Sequence, residues 1–318
     1  MRRSILYLVL LGAAFGAAAQ KLPAEFDHDR IRLAVPAPDG STLKFYTDSG
    51  GGWNTITRAA AERLRLPQAG EWRDDDDKET LPLVAFPAFM VKAGVPAPSV
   101  DAYFHGQLVE TAAPRLEYDG VLGSRWFAGH VWRIDYASHE VLADSDEKPA
   151  QGSHKIALGF QTADDGKRLR DMPRLVVTVE GRDIDMLLDT GAETRLTDAS
   201  APVLRAPAGS FIGASFIVKS ILDDWHAKHP EWRFIADGDD TLGRPAPMIE
   251  VPHVTVAGFT VGPVWFAQKP DANFSEMMSS MMDKPVQGSF GGSGLRYFRV
   301  VLDYQKAMAW FEPTAASN

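Results

Sequence analysis

The sequence predicts a mostly β protein made of two related halves, with an added helix in the second. Three observations carry that prediction. A short pattern occurs twice, as DGSTLKFYTDSG from Asp39 to Gly50 and as EGRDIDMLLDTG from Glu180 to Gly191. Each copy places an aspartate, Asp48 or Asp189, eight residues after a turn glycine, Gly40 or Gly181, and follows it with a small hydroxyl residue and a glycine. A second pattern then recurs, DGVLGSRWFAGHVWRIDY from Asp119 to Tyr136 and QGSFGGSGLRYFRVVLDY from Gln287 to Tyr304, with Gly-x-x-Gly the same distance ahead of an apolar-Asp-Tyr ending. Shared order and spacing are what duplication of one domain about a pseudo-twofold axis produces.

Residues 1–19 read as a targeting segment. Arg2 and Arg3 give a positive start, Ile5 to Leu11 an apolar run, and Gly12 to Ala19 a small-residue stretch with an A-x-A site at Ala17 and Ala19. That run is short for a bilayer span, and no later stretch approaches spanning length. The expectation is an exported, periplasmic or secreted protein with no integral membrane span once the segment is removed.

The first half is expected over residues 25–143. IRLAV, the Asp39-Gly40 turn and TLKFYT form a β-hairpin, and TRAAAERL behind Asp48 forms a short helix with a threonine N-cap. Asp74 to Asp77 with Lys78 read as a solvated loop or hairpin tip, and VWRIDY and EVLA as closing strands. Residues 144–154 (DSDEKPAQGSH), charged and containing Pro and Gly, read as a linker. The second half, residues 155–313, repeats the plan. RLVVTV, Glu180-Gly181 and DIDMLL form its hairpin, and TDASAPVL stands in the place of TRAAAERL. VPHVTVAGFTVGPVWFA reads as a strand pair, and FRVVLDY with AMAWFE closes the half. The offset between copies grows from 141 (Asp48 to Asp189) to 168 (Gly123 to Gly291), a net 27 extra residues. Phe216, Ile217, Ile221, Leu222 and Trp225 recur at helical spacing within that excess, and Pro230 ends the run, so an added amphipathic helix is expected there.

Composition narrows the chemistry. With no cysteine there is no disulfide, thiol anchor or thiol nucleophile. The net charge of −9 becomes −11 when Arg2 and Arg3 leave, and no basic stripe marks a nucleic-acid surface.

Two carboxylates a hydrogen bond apart cannot both ionise cheaply, so such a pair shares one proton. The ionised member can take a proton from water while the protonated member donates one to a carbonyl oxygen, with no metal or cofactor. Asp48 and Asp189 are the catalytic candidates, and their titration belongs to the pair. Ser49 and Thr190 can donate sideways to backbone and fix the pair. Gly50 and Gly191 allow a tight turn and an amide aimed at each carboxylate.

LLDTGAETRL resembles the active-site loop of retropepsin-like aspartic proteases, and FYTDSGGG resembles its Asp-Ser-Gly variant. Val121, Leu122 and Gly123 match the superfamily's apolar-apolar-Gly motif beneath that loop; Ser289, Phe290 and Gly291 match it except at Ser289. The resemblance implies two closed β-barrel-like lobes, a cleft for an extended peptide or unfolded protein, and a flap between about Trp72 and Val95. Because both halves lie in one chain, as in pepsin-like enzymes, it also implies a functional monomer. Only about ten residues separate the expected cleavage site after Ala19 from the first strand, so no zymogen step is expected. Gly51 and Ala192 lack the hydroxyl that acid-adapted relatives place there, which moves the expected activity toward milder pH. The competing expectation is a catalytically inactive periplasmic peptide-binding or scaffold protein on the same fold.

Other polar clusters have plainer readings. Asp135 and Asp303 suit turn or hydrogen-bonding roles at strand ends. Asp237, Gly238, Asp239 and Asp240 read as a solvated loop, and His226 and His229 as surface or helix-capping residues with no third zinc ligand. Met277, Met278, Met281 and Met282 read as a packed helix or an adaptable apolar surface, and Glu193 as lining the cleft or exposed.

Overall fold

The computed structural model describes residues 20–73, 80–98, 106–109, 118–144 and 148–314; the targeting segment and Asp74 to Lys78 lie outside them. The protein is mostly β, arranged in sheets of eight, nine, six and two strands. These sheets are open, so the closed barrels implied by the resemblance are not formed among the described residues. Among them, too, no helix is long and apolar enough to cross a membrane.

Each predicted hairpin forms for the reason its sequence gives. Strand Arg30–Pro36 runs antiparallel to Thr42–Thr47 in the eight-stranded sheet, and Arg174–Val179 runs antiparallel to Arg182–Leu188 in the nine-stranded one. The second turn is a two-residue Glu180-Gly181 link with both φ angles positive (50° and 76°), the twist that suits a tight hairpin. Alternating residues of the first strand, Ile31, Leu33 and Val35, are buried. Each hairpin's second strand then pairs in parallel with a short strand from the second repeated pattern. Tyr46 faces Val121 and Thr47 faces Leu122, while Leu187 faces Ser289 and Leu188 faces Phe290.

The six-stranded sheet takes strands from both halves of the sequence. At its centre Val131–Asp135 pairs antiparallel with Phe298–Asp303, with Val131 opposite Asp303, Arg133 opposite Val301 and Asp135 opposite Arg299. At the 168-residue offset Arg133 and Val301 are counterparts, as are Val131 and Arg299, and Asp135 and Asp303. Exchanging the two halves therefore leaves this register unchanged. The strand-end aspartates act as the sequence suggested. Asp135 accepts from the amides of Ala137 and Ser138 (both 3.1 Å) and from Arg299 (2.7 Å), and Asp303 accepts from Lys306 N (2.9 Å).

Strand pairing relocates the extra residues. Thr55 lies opposite Val121, and Phe216 lies opposite Ser289, so the offset at this strand is 216 − 55 = 161. Of the 27 extra residues, 161 − 141 = 20 therefore precede Phe216, and 168 − 161 = 7 follow it. The helix Lys219–Lys228 stands at that offset from the helix Arg58–Arg63, so it is the counterpart of the first-half helix, lengthened rather than added. Phe216 and Ile217 belong to the strand Ser215–Val218 ahead of it; Ile221, Leu222 and Trp225 are its buried face. The apparent helical period arose because two core-facing strand residues abut a core-facing helix. The real insertion carries the two-stranded sheet of Glu193–Arg195 and Phe211–Gly213, with the short helix Ala201–Leu204 between them. TDASAPVL thus belongs to the insertion. In the first half, Thr57 caps its helix by accepting from Ala60 N (3.2 Å).

Asp237 to Asp239 end the strand Phe234–Asp239 instead of forming a solvated loop. Asp239 is buried because Lys269 Nζ (2.8 Å) and the amide of Thr241 (2.9 Å) replace its water. His229 pairs with Glu180 (2.7 Å) and stacks on Trp232, while His226 stacks on Phe234.

Candidate active site

Asp48 and Asp189 each lie one residue beyond a hairpin strand, and each is held there by the strand beneath. Asp48 N donates to Leu122 O (2.9 Å) and Asp189 N to Phe290 O (3.0 Å). Gly123 and Gly291 complete these underlying strands. Gly123 N donates to Asn54 Oδ1 (2.9 Å) and Gly291 N to the counterpart Ser215 Oγ (3.1 Å). A side chain on Gly123 would strike Trp53 O, and one on Gly291 would strike Ala214 O, so the backbones meet at van der Waals range only without a Cβ.

The hydroxyls after the two aspartates cross between the halves. Ser49 Oγ donates to Leu188 O (2.8 Å) and accepts from Thr190 N (3.0 Å). Thr190 Oγ1 donates to Thr47 O (3.1 Å) and accepts from Ser49 N (3.1 Å). Both residues are buried, so these four bonds lock one loop to the other out of competition with water.

The lock brings the two carboxyls together. They stand side by side, since a Cβ on Gly50 would meet the Asp189 carboxyl and one on Gly191 the Asp48 carboxyl, and each accepts an amide from its own loop, Gly50 N for Asp48 and Gly191 N for Asp189 (both 3.0 Å). Burial, opposed by the Gly51 amide, raises Asp48 above the usual carboxylate range. Burial and then the charge of Asp48 push Asp189 up well beyond that range. The pair therefore holds a shared proton into milder pH than isolated aspartates would. Asp48 is half-buried and Asp189 is 8% exposed, so the pair meets solvent mainly through Asp48.

All twelve residues singled out in the two repeated patterns lie at or directly beneath this point: Asp48, Ser49, Gly50, Asp189, Thr190 and Gly191 in the loops, and Val121, Leu122, Gly123, Ser289, Phe290 and Gly291 in the strands under them. Four further residues gather round the pair, of which Arg30 and Tyr118 lie outside both motifs. Arg30, 2% exposed, reaches from the first half to Glu193 in the second (3.3 Å) and to Asp27 (2.6 Å). Tyr118 donates to the other oxygen of Glu193 (3.4 Å) and stacks on Tyr46. Burial raises Glu193 despite Arg30, and it also raises Tyr46, next to both aspartates. No sequence signal marked Arg30, which falls in the polar phase of its alternating strand just as Arg32 does.

Arg30 yields a stability prediction. Arg30→Met should destabilise by about 3 kcal/mol at neutral pH, because Glu193 is left buried and ionised without its cation. The loss should shrink at pH 4, where the raised Glu193 is protonated. Urea unfolding at both pH values checks this, and a loss of equal size at each would show that only packing was removed.

A small cavity beside the first loop is lined by Gly52, Trp53, Arg125, Asp171, Met172 and Met281. Trp53, 40% exposed, meets Trp72 of the hairpin Gln68–Arg73/Thr80–Val84 edge-on at 5.5 Å. Among the methionines, Met282 is buried, Met277 is 58% exposed, and Met278 and Met281 pack against the core from a helical turn. Among the described residues, no group of three His, Asp or Glu side chains is placed to hold a metal. No protein-family model matches the chain, and none of the curated proteins compared with it matches.

Proposed function

We propose that the chain is an aspartic endopeptidase, resembling retropepsin-like and pepsin-like enzymes, that hydrolyses peptide bonds with water held between Asp48 and Asp189. The observation that carries this reading is the juxtaposition of the two carboxyls, fixed by the reciprocal bonds of Ser49 and Thr190. A rigid, proton-sharing pair of this kind offers a base and an acid at one point. The ionised member takes a proton from water as its oxygen bonds to the scissile carbonyl carbon. The protonated member gives its proton to the carbonyl oxygen, and collapse of the tetrahedral species breaks the C–N bond as the amine leaves protonated. The half-exchanging register of the six-stranded sheet supports two lobes about a pseudo-twofold axis, over residues 25–143 and 155–313, within a functional monomer. The hairpin that carries Trp72 is the flap of this reading, beginning at Gln68, ahead of the expected span. With the N-terminal targeting pattern, the place of action is the periplasm or beyond.

Digestion of unfolded casein across a pH series, with and without pepstatin, tests the proposal. Cleavage should be bell-shaped in pH, blocked by pepstatin, and maximal in mildly acidic solution, since both carboxyls are raised and neither Gly51 nor Ala192 brings a hydroxyl to them. A maximum below about pH 3 would contradict the electrostatics. No cleavage at any pH would leave the peptide-binding alternative.

A further inference from the structure

In the strands beneath the aspartates the two halves differ in polarity at one position. In the first half, the strand under the loop presents Val121 opposite Tyr46; in the second, it presents Ser289 opposite Leu187. Alternate strand residues share a face, so Leu187 and Asp189 project to the same side, and a parallel register partner of Leu187 projects there too. Ser289 therefore stands under the Asp189 carboxyl. It is 0% exposed and its Oγ has no hydrogen-bond partner among the described residues, an unfavourable state for a buried hydroxyl where the other half uses valine.

We infer that Ser289 is a positioning residue whose hydroxyl donates to Asp189 when that carboxyl is ionised and releases it when the carboxyl is protonated. Rotation between staggered χ1 wells is the only movement required. The hydroxyl lies within reach of Asp189 and opposes its rise. The remaining neighbours do not duplicate this donor. Asp48 shares the proton, neither the Tyr46 nor the Tyr136 hydroxyl is bonded to Asp189, and Glu193 is engaged by Arg30 and Tyr118. One donor on one side of a near-symmetric pair biases which member carries the charge. It also supplies from below part of what Gly51 and Ala192 do not supply from the loop.

This inference deepens the proposed catalytic reading, and its test does not depend on cleavage. In an Asp48→Asn background Asp189 titrates alone, and 13C NMR of its labelled carboxyl follows it directly. Ser289→Val, the residue of the other half, should raise the Asp189 midpoint by roughly half to one pH unit, while Ser289→Thr should leave it in place. In the unmutated pair, Ser289→Val should move both limbs of any pH–rate profile upward with little change in KM. An Asp189 midpoint unmoved by valine, or moved equally by threonine, overturns the inference. Absence of casein cleavage alongside a shifted midpoint would sink the protease proposal and leave the role of Ser289 standing.

Discussion

Asp48→Asn and Asp189→Asn should each abolish hydrolysis and at the same time make the fold more stable at neutral pH. Asparagine neither accepts the proton of the attacking water nor donates a carboxyl proton to the carbonyl oxygen, so kcat/KM should fall by at least about 10⁴-fold. The stability gain follows from linkage. Both carboxyls are raised in the folded protein, Asp48 by burial and Asp189 by burial and then by the Asp48 charge. An acid raised above its unfolded value binds its proton more tightly when folded. Stability is thus lost as pH rises from the unfolded value through the folded one. Asparagine never ionises and escapes that loss. The variants should gain on the order of 2 kcal/mol at pH 7, with the difference fading below about pH 3, where the carboxyls are protonated folded or unfolded. Urea denaturation at the two pH values, beside casein digestion, reads both effects. An asparagine variant that digests casein at the parent rate would remove the pair from the chemistry. One no more stable than the parent at pH 7 would mean that the folded protein accommodates the second charge without strain.

Much of this site was legible because its residues answer to local constraints. An aspartate after an extended strand, a hydroxyl that must donate sideways and a glycine that must leave room are each specified within three positions, and the chain repeats them. The underlying strands were legible for the same reason: Gly123 and Gly291 sit where backbones cross too closely for any side chain. What escaped is non-local. Arg30 meets Glu193 across 163 residues, and neither neighbourhood requires the other. Asn54 and Ser215 are single polar residues whose value lies in the amide they receive from a distant glycine. The insertion was misplaced because hydrophobic period alone cannot separate Phe216 and Ile217, on a strand, from Ile221 and Leu222, on a helix. Only the pairing of Phe216 with Ser289 distinguishes them.

Gly191→Ala should be nearly as damaging to activity as loss of an aspartate, and for a reason that crosses between the halves. A Cβ at Gly191 would strike the Asp48 carboxyl, and one at Gly50 would come within 2.5 Å of the Asp189 carboxyl carbon. Each loop's glycine thus makes room for the opposite loop's catalytic group. Neither loop can yield, because Ser49 and Thr190 bind each to the other's backbone. The methyl group should displace Asp48, lower kcat/KM by about 10³-fold and destabilise by roughly 2–4 kcal/mol. Gly52→Ala is the matched control: its nearest neighbour would be Met172 Cε at 3.7 Å, an ordinary contact, and the cost should stay within about 0.5 kcal/mol. Adding Asp48→Ala to Gly191→Ala removes the two nearest atoms struck, the carboxyl carbon and oxygen, and leaves the Asp48 Cβ at 2.7 Å, so the double variant should regain part of the lost stability while staying inactive. That recovery is a coupling energy read from a double-mutant cycle by urea unfolding. Strictly additive losses would show that the two loops do not meet through these atoms.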